Sequence, residues 1–321
     1  MTIRLFAFMS EKNSIMNMME EKILVPSSVP AELRETYIHN YRLATHDSGR
    51  LMLFAGDQKV EHLNSDFAGP GIAEEDGDPE HLFRIASAAR IGAFATQLGL
   101  IARYSSDEGY ARIPYIAKLN SKTNIVPKHA KDPLSTAWYS IDDVVRVRDT
   151  MQLLMVGVGY TIYLGSIHEN DMLREAAHLT MEAHRHGLLS TLWIYPRGSY
   201  VQDEHDPAVI IGAAGVAAAL GADFVKINPP RSSTESPLLS LQQTVRAAGR
   251  TGVICAGGSS TDPVAFLKNL HDQIHIGHTA GNATGRNIHQ KPLLSAIAFC
   301  NALYAITVEN KSVEEASSLL V

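Results

Sequence analysis

The sequence predicts a (β/α)8 barrel, and three observations carry the prediction. Eight short runs, all but the last strongly apolar, alternate with helical stretches over roughly 250 residues, the usual span of such a barrel. The runs are near-continuously apolar, as parallel strands covered on both faces must be. The polar residues that interrupt them gather at their carboxyl ends, where a barrel keeps its chemistry.

The elements follow in order. Residues 1–30 are rich in Met and Ser, lack periodicity and end in Pro26-Ser27-Ser28-Val29-Pro30. They read as an extension to a single barrel domain over 31–321. The first strand is expected at 51–55 and runs into Gly56-Asp57. A helix over 79–90 opens at Asp78-Pro79, and the second strand covers 93–98. The link to the third strand, 115–119, is short and weakly helical, so one crossover is irregular. Helix 141–154 leads to strand 158–164, and helix 169–186 to strand 188–195. Helix 207–220 opens at Asp206-Pro207 and precedes strand 224–227, and helix 238–248 precedes strand 253–256. Helix 263–270 opens at Asp262-Pro263, where a capping carboxylate and a first-turn proline mark a helix start. The eighth strand, 278–284, is poorly apolar and is placed by position, and helix 292–308 closes the series. The rival, a doubly wound open sheet, calls for a glycine-rich first turn. Gly56-Asp57-Gln58-Lys59 is not one, and Gly157-Val158-Gly159 lacks the third glycine.

Composition narrows the function classes. With 45% hydrophobic residues the 321-residue chain is neither disordered nor fibrous. A net charge of -6 gives no bulk field for nucleic acid or anionic lipid, so neither is expected as a partner. Cys255 and Cys300 are the only 2 cysteines, which fits a reducing cytoplasm better than a disulfide scaffold. No apolar run reaches the ~20 residues of a membrane span. The patch 5–9 is too short for a secretory signal core. The Ala-rich stretch 210–219 has little polar face and is either deeply buried or a subunit contact.

Lys226 is the most informative residue. Within Phe224-Val225-Lys226-Ile227, alternation turns it away from its apolar neighbours and into the barrel. Burial there disfavours the ammonium and lowers the pKa, the setting of a Schiff-base lysine. A structural pairing with a carboxylate is the alternative. Lys118, in Tyr115-Ile116-Ala117-Lys118, is a second inward cation that would depress one of the two. Asp57 offers a carboxylate to orient a lysine and move protons. Tyr163 is either a proton shuttle or a packed strand tyrosine. Gly257-Gly258-Ser259, before a helix, and Gly285-Arg286-Asn287 follow strands seven and eight, the usual place of a barrel phosphate site. Arg286 adds a fork-shaped cation. With Lys59, these cations would make a positive pocket inside an acidic shell, and the glycines would give a phosphorylated ligand room.

These residues resemble the archaeal-type class I fructose-bisphosphate aldolases and the related DeoC/LacD-type aldolases. The resemblance rests on Gly56-Asp57-Gln58-Lys59-Val60-Glu61-His62, Ala117-Lys118-Leu119-Asn120 and Gly159-Tyr160-Thr161-Ile162-Tyr163-Leu164-Gly165-Ser166. It continues through Gly221-Ala222-Asp223-Phe224-Val225-Lys226, Gly257-Gly258 with Thr261-Asp262, and Gly285-Arg286-Asn287-Ile288, spanning residues 45–295 in the family's order. It implies a cofactor-independent lyase acting on a phosphorylated ketose, by default fructose 1,6-bisphosphate, and a homo-oligomer. It implies Lys226 as the Schiff-base lysine, Tyr163 as the proton-transfer residue and Asp57 as the carboxylate near the lysine. It makes Lys118 a lining residue, and sets the two glycine turns with Arg286 on a phosphate. Three positions depart from the pattern: Lys59 stands for a glycine, Ala256 for a frequent serine, and His289 for a frequent aromatic residue.

Other readings compete. Lys226 could serve another aldol, transaldol or acyl-transfer reaction on a different phosphorylated keto compound. The 14 histidines raise a metal enzyme, through the pairs His184/His186 and His271/His275, but no H-E-x-x-H cluster is present and no metal is expected. A sugar-phosphate-binding scaffold is the non-enzymatic alternative.

Overall fold

In the computed structural model, which describes residues 23–61, 66–124, 131–232, 235–258 and 262–320, eight parallel strands close into a barrel in sequence order. They are β1 (Leu51–Ala55), β2 (Ala93–Gln97), β3 (Tyr115–Lys118), β4 (Met155–Leu164), β5 (Leu189–Pro196), β6 (Phe224–Ile227), β7 (Gly252–Ala256) and β8 (Gly281–Thr284). β1 pairs with both β2 and β8, which removes the sheet edges. The fold is the (β/α)8 barrel that the alternation of runs and helices implies.

Side-chain alternation sorts the strands into two cores. Leu51, Leu53, Ala93, Ala95, Ile116, Trp193, Phe224 and Ile254 point inward and fill the barrel. Met52, Phe54, Phe94, Ala117, Ile162, Val225 and Ile227 point outward against the helices. Phe224 inward with Val225 and Ile227 outward puts Lys226 on the interior face, as its neighbours require.

The helices start where capping chemistry places them. Asp206 accepts from Ala208 and Val209 N–H before helix Pro207–Ala219. Ser140 and Asp143 form a reciprocal capping box at helix Ile141–Met151. The crossover from β2 to β3 is irregular, two short helices at Leu98–Tyr104 and Glu108–Ala111.

Three elements differ from the sequence reading. β4 starts at Met155 rather than 158, because a register shift at Tyr115/Ile116 lets it pair earlier. Helix Pro263–His275 outruns its expected end at 270. A helix at Arg34–Thr45 precedes β1; its buried face, Tyr37, Asn40, Ala44 and Thr45, is too polar to show an apolar stripe. This helix and Val29 close the base of the barrel, where Tyr41 stacks on Phe224 at 5.9 Å. No described helix is long and apolar enough to cross a membrane.

Candidate active site

The carboxyl ends of β3 to β6 build one cluster around an indole. Cross-strand register sets Lys118 beside Gly159, Thr161 beside Trp193, and Trp193 beside Lys226. The Trp193 ring faces both lysines, with Lys118 Nζ 5.0 Å and Lys226 Nζ 5.4 Å from its centroid. Both cations are desolvated, at 1% and 4% exposure, and the ring's negative face offsets part of that cost. Room for the indole comes from Gly159, where a Cβ would lie 2.4 Å from the Trp193 ring.

Lys118 Nζ donates to Asn120 O at 3.0 Å, Asn120 Oδ1 at 3.3 Å and Thr161 Oγ1 at 2.5 Å. Three neutral acceptors match its three N–H donors. Asn120 is itself fixed, donating to Ser135 O and Thr161 O while accepting from Thr161 N–H. Lys226 reaches the same indole from the adjoining strand β6.

Asp57 lies at the end of β1, buried, with its carbonyl accepting from Gln97 Nε2 at 2.9 Å. Its Oδ1 is buried with no hydrogen-bond partner among the described residues. A buried carboxylate oxygen left open is costly unless function uses it. Tyr163 shares the inward face of β4 with Thr161, is fully buried, and carries Lys122 Nζ 5.7 Å over its ring. Its register partner is Tyr195 on β5. Tyr195 is half-buried on the same face as Trp193, with the Arg197 guanidinium 5.1 Å above it. The sequence reading assigned no role to Trp193 or Tyr195. Their signal was alternation along β5, which puts both on the face that adjoins Lys226.

The turns after β7 and β8 adjoin each other. Gly257 N–H donates to Ala283 O, and its carbonyl accepts from Asn287 Nδ2 at 3.2 Å. Gly258 is exposed with a left-handed φ of 68° and open space at its Cα, while Ser259 lies outside the described residues. The next helix begins at Asp262, whose carboxylate already caps Ala265 N–H. At Gly285 there is no spare room: a Cβ would meet Gln58 Nε2 at 2.3 Å and Ala55 O at 2.6 Å. That glycine serves the close packing of the β8 turn on β1. Arg286 is partly exposed, with Nη1 3.8 Å from Asp66 Oδ2.

One expectation about the pocket rim is corrected. Lys59 does not add charge to the pocket: its Nζ donates to Asp76 O at 3.2 Å and Gly77 O at 3.0 Å and lies 4.0 Å over the Phe67 ring. Burial pushes it below the ordinary lysine range, with Asp76 and Asp78 opposing. His289 keeps the stacking of an aromatic residue, parallel to Phe67 at 4.7 Å, and adds a bond from Nδ1 to Asp76 Oδ2 at 2.7 Å. Ala256 lines a cavity of about 200 Å³ with Phe266, Asn269 and Gln273.

The histidine pairs sit elsewhere. His184 bridges Ser28 and Asp223 at the base, and His271 and His275 lie 4.2 Å apart beside Asp272. Among the described residues no group of three or more side chains could hold a metal ion.

Comparison with known proteins agrees with this geometry. A family model described as DeoC/LacD family aldolase matches residues 51–291. The chain is 55% identical over 302 residues to a Methanocaldococcus jannaschii protein named fructose-bisphosphate aldolase/6-deoxy-5-ketofructose 1-phosphate synthase, covering 94% of this chain and 96% of that one. It is 31% identical to the class 1 fructose-bisphosphate aldolase of Thermoproteus tenax, covering 83% and 93%. A fructose-bisphosphate aldolase structure from Slackia heliotrinireducens superposes with a TM-score of 0.90 at 51% identity, over 94% of each chain. A Schiff-base-forming fructose-1,6-bisphosphate aldolase superposes with a TM-score of 0.71 at 29% identity, over 84% of this chain and 99% of that one.

Proposed function

Since the chain belongs to the DeoC/LacD aldolase family, we propose that it cleaves and forms fructose 1,6-bisphosphate through an iminium on Lys226. The observation that carries this reading is the pair of buried lysines on one indole, of which Lys118 is anchored by neutral acceptors. Burial and the neighbouring cation both favour the neutral amine of Lys226, the nucleophilic form.

Lys226 Nζ adds to the ketose C2 carbonyl, and the carbinolamine loses water to give the iminium. A base takes the C4 hydroxyl proton, the C3–C4 bond breaks, and its electrons pass to the iminium nitrogen. Glyceraldehyde 3-phosphate leaves and an enamine remains. Protonation at C3 and hydrolysis release dihydroxyacetone phosphate and return the amine. Tyr163 and Asp57 move these protons, with the Tyr195 phenol as the second candidate on the adjoining strand. Gly257, Gly258, Ser259, Gly285 and Arg286 take the phosphate, with no cofactor or metal.

A second reading keeps the same enamine and changes its acceptor. The double name of the Methanocaldococcus jannaschii relative favours it. There the enamine is captured by another aldehyde, giving a deoxy-ketofructose phosphate. Borohydride reduction with a panel of sugar phosphates tests both readings. A mass increase at Lys226 with fructose 1,6-bisphosphate is expected, and no adduct there with any of them would end the Schiff-base mechanism. Relative turnover across the panel separates the two products.

The reading also takes residues 31–321 as one catalytic domain in a cytoplasmic homo-oligomer. Helix Pro207–Ala219 supports an assembly, since it has no charged side chain although Ala208, Gly212 and Ala219 are exposed. Light scattering on the purified chain measures the assembly directly.

A further inference from the structure

Two of the departures from the family pattern, Lys59 and His289, meet at one place. We infer that Lys59, Phe67, Asp76 and His289 form a latch that fixes residues 66–77 onto the turn after β8, and thereby positions Arg286 for the substrate's phosphate. The inference rests on the proposed role of Arg286 as a phosphate ligand.

Phe67 is the middle of the latch. One face stacks on His289, centroids 4.7 Å apart and planes within 7°, and Lys59 Nζ lies 4.0 Å from the ring centroid. Asp76 is the outer end. Its carboxylate meets His289 Nδ1 at 2.7 Å, both side chains fully buried, while its carbonyl and that of Gly77 accept from Lys59 Nζ. His81 Nε2 donates to His289 O at 3.0 Å from the following helix. Main chain joins the same pieces through Ala73 N–H to Gln290 O at 2.9 Å.

Arg286 is tied in through Asp66, the residue before Phe67. Gln290 Nε2 donates to Asp66 O at 3.0 Å, and Asp66 Oδ2 lies 3.8 Å from Arg286 Nη1. That ion pair is long and partly exposed, a weak hold on the guanidinium. A phosphate dianion offers a bidentate partner and outcompetes it. Arg286 is thus parked near its ligand rather than locked, and the latch decides where it is parked. Lys59 and His289 touch no substrate in this arrangement, so they are positioning residues.

The test uses the full chain with Lys59→Gly, His289→Ala and Asp76→Asn. His289→Ala is expected to raise KM for fructose 1,6-bisphosphate about tenfold, with kcat within about twofold, as for a misplaced binding group. Lys59→Gly is expected to raise KM about threefold by the same route. Asp76→Asn keeps an acceptor for Nδ1 and should stay close to the parent. Borohydride trapping with dihydroxyacetone, which has no phosphate, should be unchanged in all three, while trapping with dihydroxyacetone phosphate weakens in the first two. An unchanged KM in His289→Ala and Lys59→Gly, or equal losses with and without phosphate, overturns the latch alone. If His289→Ala fails to fold by circular dichroism, Lys59→Gly decides by the same comparison. No trapping at Lys226 in the parent chain removes the aldolase reading and the latch with it.

Discussion

Trp193 is the residue on which the site turns. Both lysine amines lie over its ring, Lys118 Nζ at 5.0 Å and Lys226 Nζ at 5.4 Å from the centroid. Substitution separates the roles of the two lysines. Lys118→Met takes the Nζ donor from Asn120 O and Thr161 Oγ1, at about 1–3 kcal/mol of stability by urea unfolding. Lys226 should still be trapped by borohydride in that variant, whereas Lys226→Met should lose the adduct. Removal of a positioned acid or base costs ~10²–10⁴ in turnover. Tyr163→Phe should show a loss of that order while still forming the adduct. If Tyr195→Phe takes the loss instead, the proton path runs through β5. Lys226, Lys118, Asp57 and Tyr163 were legible because each is a polar residue in or just after an apolar run. The Tyr195 phenol was not, since a tyrosine in a strand is ordinary until its register partner is known.

At the scale of elements, β4 and β5 share the longest register in the barrel, from Gly157 with Leu189 to Leu164 with Pro196. Gly159 is the weak point in that seam. Gly159→Ala pushes a methyl into the Trp193 ring and is expected to cost about 1–3 kcal/mol, as overpacking does. It should also impair trapping at Lys226, because the indole has to shift toward β6. Wild-type stability and trapping in Gly159→Ala would show that the indole is not held this tightly. The strand positions were readable to within a few residues, since apolar runs are local. Helix Arg34–Thr45 was not readable, because Tyr37 and Asn40 are buried by partners distant in sequence: Asp223 for one and Gly187 for the other.

The whole molecule is closed at its base by a polar network. Tyr37 Oη donates to Asp223 Oδ1 at 2.5 Å, and His184 Nε2 and Ser190 N–H meet Oδ2 at 3.1 and 2.7 Å. Ser28 Oγ bonds the other nitrogen of His184 at 2.6 Å, so the network joins five residues from five pieces of the chain. Its titration has a definite sign. Burial, and then the Asp223 charge, hold the Tyr37 phenol well above its ordinary range. Burial likewise pushes the Cys255 thiol up to about 12. Both stay protonated when folded, whereas in the unfolded chain they ionise from about pH 9–10. Their contribution is complete below that range and is lost as pH rises toward 12. The urea midpoint should therefore fall steadily above about pH 9, and Cys255→Ala should flatten the slope. An unchanged slope in Cys255→Ala would show that the thiol plays no part in it.

Alternation and capping are local properties, so the barrel, the inward turn of Lys226 and the starts of most helices could be read from residue order. Charge in a pocket is not local. Lys59 counted as a pocket cation in the sequence, yet it is spent on Phe67 and the carbonyls of Asp76 and Gly77. Those partners are brought to the mouth of the barrel by the fold alone. A side chain's direction along a strand follows from the backbone beneath it, whereas a cation's role follows from the acceptors around it, which distant residues supply.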